Sequence, residues 1–233
     1  MKHSSNLSVS LSRQETRNGL IYMAVAFVLL PWLLEKGNGF LAQPLSAGKL
    51  NFIYYCINFL AMTGICRNFL RASGANALKI PFPVLWYAIL GYLGSQALGE
   101  ILAILTGLVY PTFTNVNDQN VLSMLREDYW LMIVGTVALV PLTEELFFRG
   151  LLFRNIWGTS RVGAYLGSMA LFSVIHVVGY LGSCSPMQLL LCFLQYLPAG
   201  FCLGWCYSQT GTIVTPIAMH ALTNAMSVYE LMR

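Results

Sequence analysis

Apolar residues run along this chain in blocks of roughly 20, the length of helix that crosses a hydrocarbon layer, each bounded by charge, Gly, Pro or Asn. The blocks are Gly19–Leu34, Leu50–Leu70, Phe82–Tyr110, Tyr129–Trp157, Val162–Leu181, Met187–Tyr207 and Thr212–Leu231. The third and fourth are too long for one simple crossing, and a break at Gly91 and Gly94 or at Pro141 would create an eighth helix. The pattern predicts an all-α polytopic integral membrane protein, seven to eight transmembrane helices in one bundle. Lys2, Arg13 and Arg17 precede the first block as in a secretory signal, but no small-residue cleavage pattern follows. Pro31, Trp32 and Leu33 carry the apolar run on to Glu35, so the block reads as a retained helix.

Composition agrees with lipid as the main solvent. Of 233 residues 57% are hydrophobic and 9% charged, against about 25% charged in soluble domains. The net charge of +4 is a topology signal rather than a nucleic-acid footprint, because the Lys and Arg residues cluster. Lys2, Arg13 and Arg17 precede the first block, Arg67, Arg71 and Lys79 follow the second, and Arg149, Arg154 and Arg161 surround the fourth-to-fifth connection. Only Lys36, Lys49, Arg126 and Arg233 fall on the opposite segments. A cytoplasmic N-terminus in a cell membrane, a bacterial one, is expected, with the C-terminus outside if seven helices cross. Residues 1–17 read as a polar cytoplasmic tail and residues 18–233 as a single transmembrane domain whose core, 129–231, carries the polar motifs. The six cysteines lie mostly in apolar runs without a CxxC pair, as buried small hydrophobes.

Ionisable side chains inside such blocks are expensive and point by default to function. In Glu144-Glu145-Leu-Phe-Phe-Arg149, taken as helix, Glu145 and Arg149 share a face with the acid N-terminal, which favours an ion pair. Glu144 projects about 100° away and stays free for chemistry. Phe172 and His176 share a face, so the phenyl ring can restrict the imidazole. Gly158, Thr159 and Ser160 form a turn-like cluster midway between Glu144 and His176, and a hairpin about that turn would bring the two level. His220 and Asn224 share a third face and could donate to an oxyanion. Taken singly, a Glu–Arg pair is as often a structural staple, and a lone His or Asn is more often interhelical glue. An unpaired Glu, two His and an Asn together argue for an active site in an intramembrane cavity entered from the membrane or its cytoplasmic edge.

These runs resemble the EExxxR, FxxxH and HxxxN motifs of the CAAX-protease and bacteriocin-processing (CPBP, Abi) family of intramembrane proteases, over roughly Leu131 to Met226. The resemblance implies a membrane endopeptidase in which Glu144 is the general base and His176 its partner in activating water. His220 and Asn224 would stabilise the oxyanion, with Glu145, Arg149 and Phe172 in support. It also implies a peptide or protein substrate, membrane-associated or lipidated, with membrane lipids as surroundings. Glu144, His176 and His220 are also a conceivable zinc set. The chain has no HExxH, however, and the His–Asn pair suits hydrogen bonding better, so no cofactor is expected. Two rivals stand beside the protease: a non-catalytic peptide-binding or immunity protein with the same polar set, and a small transporter using Glu and His as a proton relay. The transporter fits less well, since the motifs crowd into the second half instead of repeating in both.

Overall fold

The structure, a computed structural model, describes residue 7 and residues 9–233. The polar tail expected over 1–17 lies in part outside the described residues; the remainder is ordered, with Leu7 buried and a helix under way from Arg13. Nine helices make up the described chain, and no strand occurs among the described residues. They are α1 (Arg13–Gly39), α2 (Ala47–Ile65), α3 (Arg67–Ala77), α4 (Pro81–Val109), α5 (Val116–Glu127), α6 (Tyr129–Trp157), α7 (Arg161–Tyr180), α8 (Pro186–Thr210) and α9 (Val214–Leu231).

Five of these, α1, α4, α6, α7 and α8, are long and apolar enough to cross a membrane. Large apolar side chains such as Val28, Leu60, Ile104, Leu108 and Val162 stand on the outer surface, where only lipid could solvate them favourably. The chain is an integral membrane protein. The expected seven to eight crossings are not reached by that criterion, because α2 and α9 have the length but carry more polar residues. Neither long block divides into two: α4 runs through Gly91 and Gly94, and α6 runs through Pro141. Helix α6 absorbs its proline by widening into π-helical turns over Val134–Leu139, and a second π-helical stretch covers Leu146–Phe153. The second block does end early. Cys66 closes α2, and α3 is a separate helix whose first N–H groups, those of Asn68 and Phe69, donate to the Glu15 carboxylate at 3.1 and 3.0 Å.

Local signals set the ends. Ser12 and Glu15 form a capping box on α1, and Ser160 and Ser185 cap α7 and α8 through the amides of Gly163 and Gln188. Gly211, at φ 68°, ends α8 in the left-handed conformation that glycine adopts without strain. Helices α7 and α8 meet closely at Gly200, where a Cβ would lie 3.2 Å from the Met169 Cα. Contacts also sort the connections into two faces. Arg154 donates to the Val9 carbonyl and Thr212 to that of Ser73, which gathers the N-terminal segment, α3 and the α6–α7 and α8–α9 turns on one face. On the far face Ser46 meets Asp128, and Gln188 donates to the Thr114 carbonyl.

Candidate active site

Helix α6 brings Glu144 and Glu145 to the bundle centre on adjacent positions with different surroundings. Glu145 is fully buried, and its Oε1 accepts from Arg149 Nη1 at 2.9 Å and pairs with His220 Nδ1 at 2.9 Å. Arg149, also fully buried, uses Nη2 to donate to the Gly200 carbonyl at 2.9 Å, and so ties α6 to α8. Its guanidinium lies 4.9 Å from the centre of the Phe172 ring. Arginine remains cationic, so the carboxylate it holds is the anionic partner and His220 donates from Nδ1. Glu144 keeps 17% of its side chain exposed, and its Oε2 has no hydrogen-bond partner among protein atoms; the nearest ring nitrogen is His220 Nε2 at 4.0 Å.

His176, on α7, bonds through Nδ1 to the Phe172 carbonyl at 2.8 Å. A carbonyl can only accept, so Nδ1 carries the hydrogen and the neutral ring presents a bare Nε2. Two aromatic rings hold this imidazole: Phe172, with centroids 4.7 Å apart, and Tyr196, stacked at 4.2 Å. Phe172 also meets the His220 ring edge-on at 5.7 Å, so one phenyl positions Arg149 and both histidines. The spacing of Phe172 and His176 predicted their contact. Nothing in the sequence singled out Tyr196, although Gln195-Tyr196 is a polar step in an otherwise apolar helix.

Asn224 is held by an unusual acceptor. In the π-helical turn the Val140 amide donates to the Gly135 carbonyl, five residues back. The carbonyl of Thr136 would in that register accept from residue 141, which is proline and has no N–H. Asn224 Nδ2 donates to this freed oxygen at 2.8 Å, which leaves its second N–H and its Oδ1 for other partners.

Glu144, His176, His220 and Asn224 all line one cavity of about 540 Å³. Its walls include Tyr54, Tyr55, Thr136 and Tyr196, and it extends to Asn115, Asn117, Asp118 and Asn120 at the start of α5, a helix the apolar pattern did not predict. Asn117 donates to the Tyr196 hydroxyl at 3.0 Å and Asn115 to Gln195 at 2.9 Å, so α5 is seated on the same helix that backs His176. No Lys or Arg stands among the lining residues. Among the described residues no three His, Cys, Asp or Glu side chains are grouped as metal ligands.

Compared with known families, residues 126–226 match the Rce1-like family, described as type II CAAX prenyl endopeptidase Rce1-like. Among curated proteins the chain is similar to the UPF0177 protein YxdF of Lactococcus lactis subsp. lactis (strain IL1403), with 26% identity over 132 residues that span 57% of this chain and 67% of that protein. No solved structure matches the chain. The matched stretch begins just before α6 and ends within α9, and it holds every residue of the three motifs. Over residues 126–226, the stretch that holds the three motifs, the chain is similar to the Rce1-like family of type II CAAX prenyl endopeptidases.

Proposed function

We propose that the chain is an intramembrane endopeptidase that hydrolyses a peptide bond with water activated by Glu144 and His176. The observation that carries this reading is Glu144, which lines a cavity shared with His176, His220 and Asn224 and has a buried carboxylate oxygen without a protein partner. A water between Glu144 and His176 Nε2 gives its proton to the carboxylate as its oxygen attacks the carbonyl carbon, and Glu144 returns that proton to the departing amine. The second N–H of Asn224 supplies one donor to the oxyanion. His220 supplies another from Nε2 only as an imidazolium, since its Nδ1 hydrogen is committed to Glu145. Glu145, Arg149 and Phe172 position these groups.

The substrate is a peptide or protein segment that enters the cavity. A lining without Lys or Arg offers no fixed cation to a free C-terminal carboxylate, which supports cleavage within a chain, such as removal of a leader from a secreted peptide, over trimming of a terminal CAAX tripeptide. The direct test compares the membrane and secreted peptides of a wild-type strain with those of a Glu144→Ala strain. An uncleaved precursor accumulates in the variant; identical peptide profiles would leave a non-catalytic binding protein as the better reading.

Catalysis by this site runs without metal. Purified protein assayed in chelator keeps its activity and carries no stoichiometric zinc on elemental analysis; full loss that zinc restores would reject this.

The proline at 141 has a readable consequence as well. Pro141→Ala restores an N–H that competes with Asn224 for the Thr136 carbonyl. A hydrogen bond of this kind is worth about 1 kcal/mol, or roughly five-fold in rate, so kcat falls several-fold while the helix, relieved of its proline, is no less stable. Asn224→Ala in the same background then adds less than it does alone. Full additivity of the two changes would show that Pro141 does not act through Asn224.

A further inference from the structure

The cavity has a direction. Its lining draws on the start of α5 (Asn115 to Met124), the end of α7 (Gly179 and Tyr180) and the end of α9 (Ser227 to Leu231). It takes nothing from residues 9–17, 66–80 or 150–161, which form the opposite face. Asp118, Gln119 and Asn120 at that end are exposed. The cavity therefore reaches the surface on the far face, and Glu144, near the middle of a helix about 43 Å long, is reached from there without passing the α6–α7 turn.

Basic residues divide unevenly between these same faces. Arg13 and Arg17, Arg67 and Arg71, Lys79, Arg154 and Arg161 all lie in the segments gathered on the face away from the mouth. The mouth side holds Lys36, Lys49, Arg126 and Arg233. These loops are short and flank apolar helices, the situation in which an excess of Lys and Arg holds a face in the cytoplasm. The contacts add what the sequence count lacked: the three basic groups are physically on one face, and the mouth is on the other.

We propose that the cavity opens on the extracytoplasmic side, so that the chain acts on a peptide segment presented from outside the cytoplasm. This reverses the expectation of a cytoplasmic entrance, and its substrate clause rests on the peptidase reading above. It also explains how a carboxylate so far from the basic turn can meet a substrate without that hairpin bending out of the lipid.

The test is the sidedness of the full-length chain in bacterial cells, read with a membrane-impermeant maleimide. In a Cys184→Ser background, which removes a partly accessible native thiol near the mouth, single cysteines are placed at exposed, uncharged positions: Asn120→Cys and Gln119→Cys at the mouth, Ala75→Cys on the basic face. The mouth cysteines label in intact cells to the extent seen after lysis, and Ala75→Cys labels only after lysis. The reverse pattern would overturn the proposal. Two mouth positions guard against one variant failing to fold, and the background protein sets the zero. Glu144→Gln added to the mouth variants labels as its parent does, so a failed peptidase assay and a failed orientation are seen separately.

Discussion

Glu144→Gln lowers peptide cleavage by about 10²–10⁴-fold, the range that a positioned general base contributes, and leaves thermal unfolding of the purified protein unchanged or slightly improved. The amide matches the carboxylate in shape, and the oxygen it replaces has no hydrogen-bond partner to lose. KM changes little, because the lost proton acceptor acts in the transition state rather than in binding. The assay uses the precursor that accumulates in the Glu144→Ala strain. Activity within a few-fold of wild type would remove Glu144 from the mechanism. Glu145→Gln serves as the contrast: its neighbour belongs to the structure, so its loss harms stability as well as rate.

Arg149→Met destabilises the protein by about 3–5 kcal/mol, the usual result of deleting one partner of a buried ion pair. Glu145 and Arg149 are both fully buried, and the cation also satisfies the Gly200 carbonyl across the α6–α8 contact. Without it the Glu145 charge faces only His220, and the Gly200 oxygen loses its side-chain donor. The double variant Glu145→Gln with Arg149→Met recovers much of the stability, since neutral partners of similar volume often replace a buried pair with little loss. It does not recover activity, because the anion that fixes the His220 tautomer is gone. Denaturant or thermal unfolding in detergent measures the first effect and cleavage the second. A single Arg149→Met variant as stable as wild type would show that the pair is no brace.

Spacing along single helices made much of this site legible. Residues four apart share a helix face whatever surrounds them, so the Glu145–Arg149 bond and the Phe172–His176 contact could be read before any fold was known. The freedom of Glu144 followed from the same geometry, one residue round the helix. The hairpin about Gly158 to Ser160 was readable because turn residues there interrupt two apolar runs, and it does place Glu144 and His176 on one cavity. The extent of the bundle was read less well. The apolar runs suggested breaks at Gly91 and Pro141, but packing against neighbouring helices keeps α4 and α6 continuous, and α6 takes up its proline in π turns. Helix α5 has too little apolar periodicity to announce itself; Asn115 caps it, and its polar residues bond to α8.

By itself, then, the sequence determined an all-helical chain in lipid, the three motif faces, the different surroundings of two adjacent glutamates and the clustering of positive charge. Each of these depends on composition or on the 3.6-residue repeat, which act within a few residues of chain. Only the tertiary structure decided that His220 commits its Nδ1 to Glu145, that Asn224 is anchored by a carbonyl Pro141 has freed, that Tyr196 stacks on His176, and that the cavity extends away from the basic face. Those are meetings between different helices, 75 residues apart for His220 with Glu145 and 88 for Asn224 with Thr136, and no local rule fixes which faces will meet.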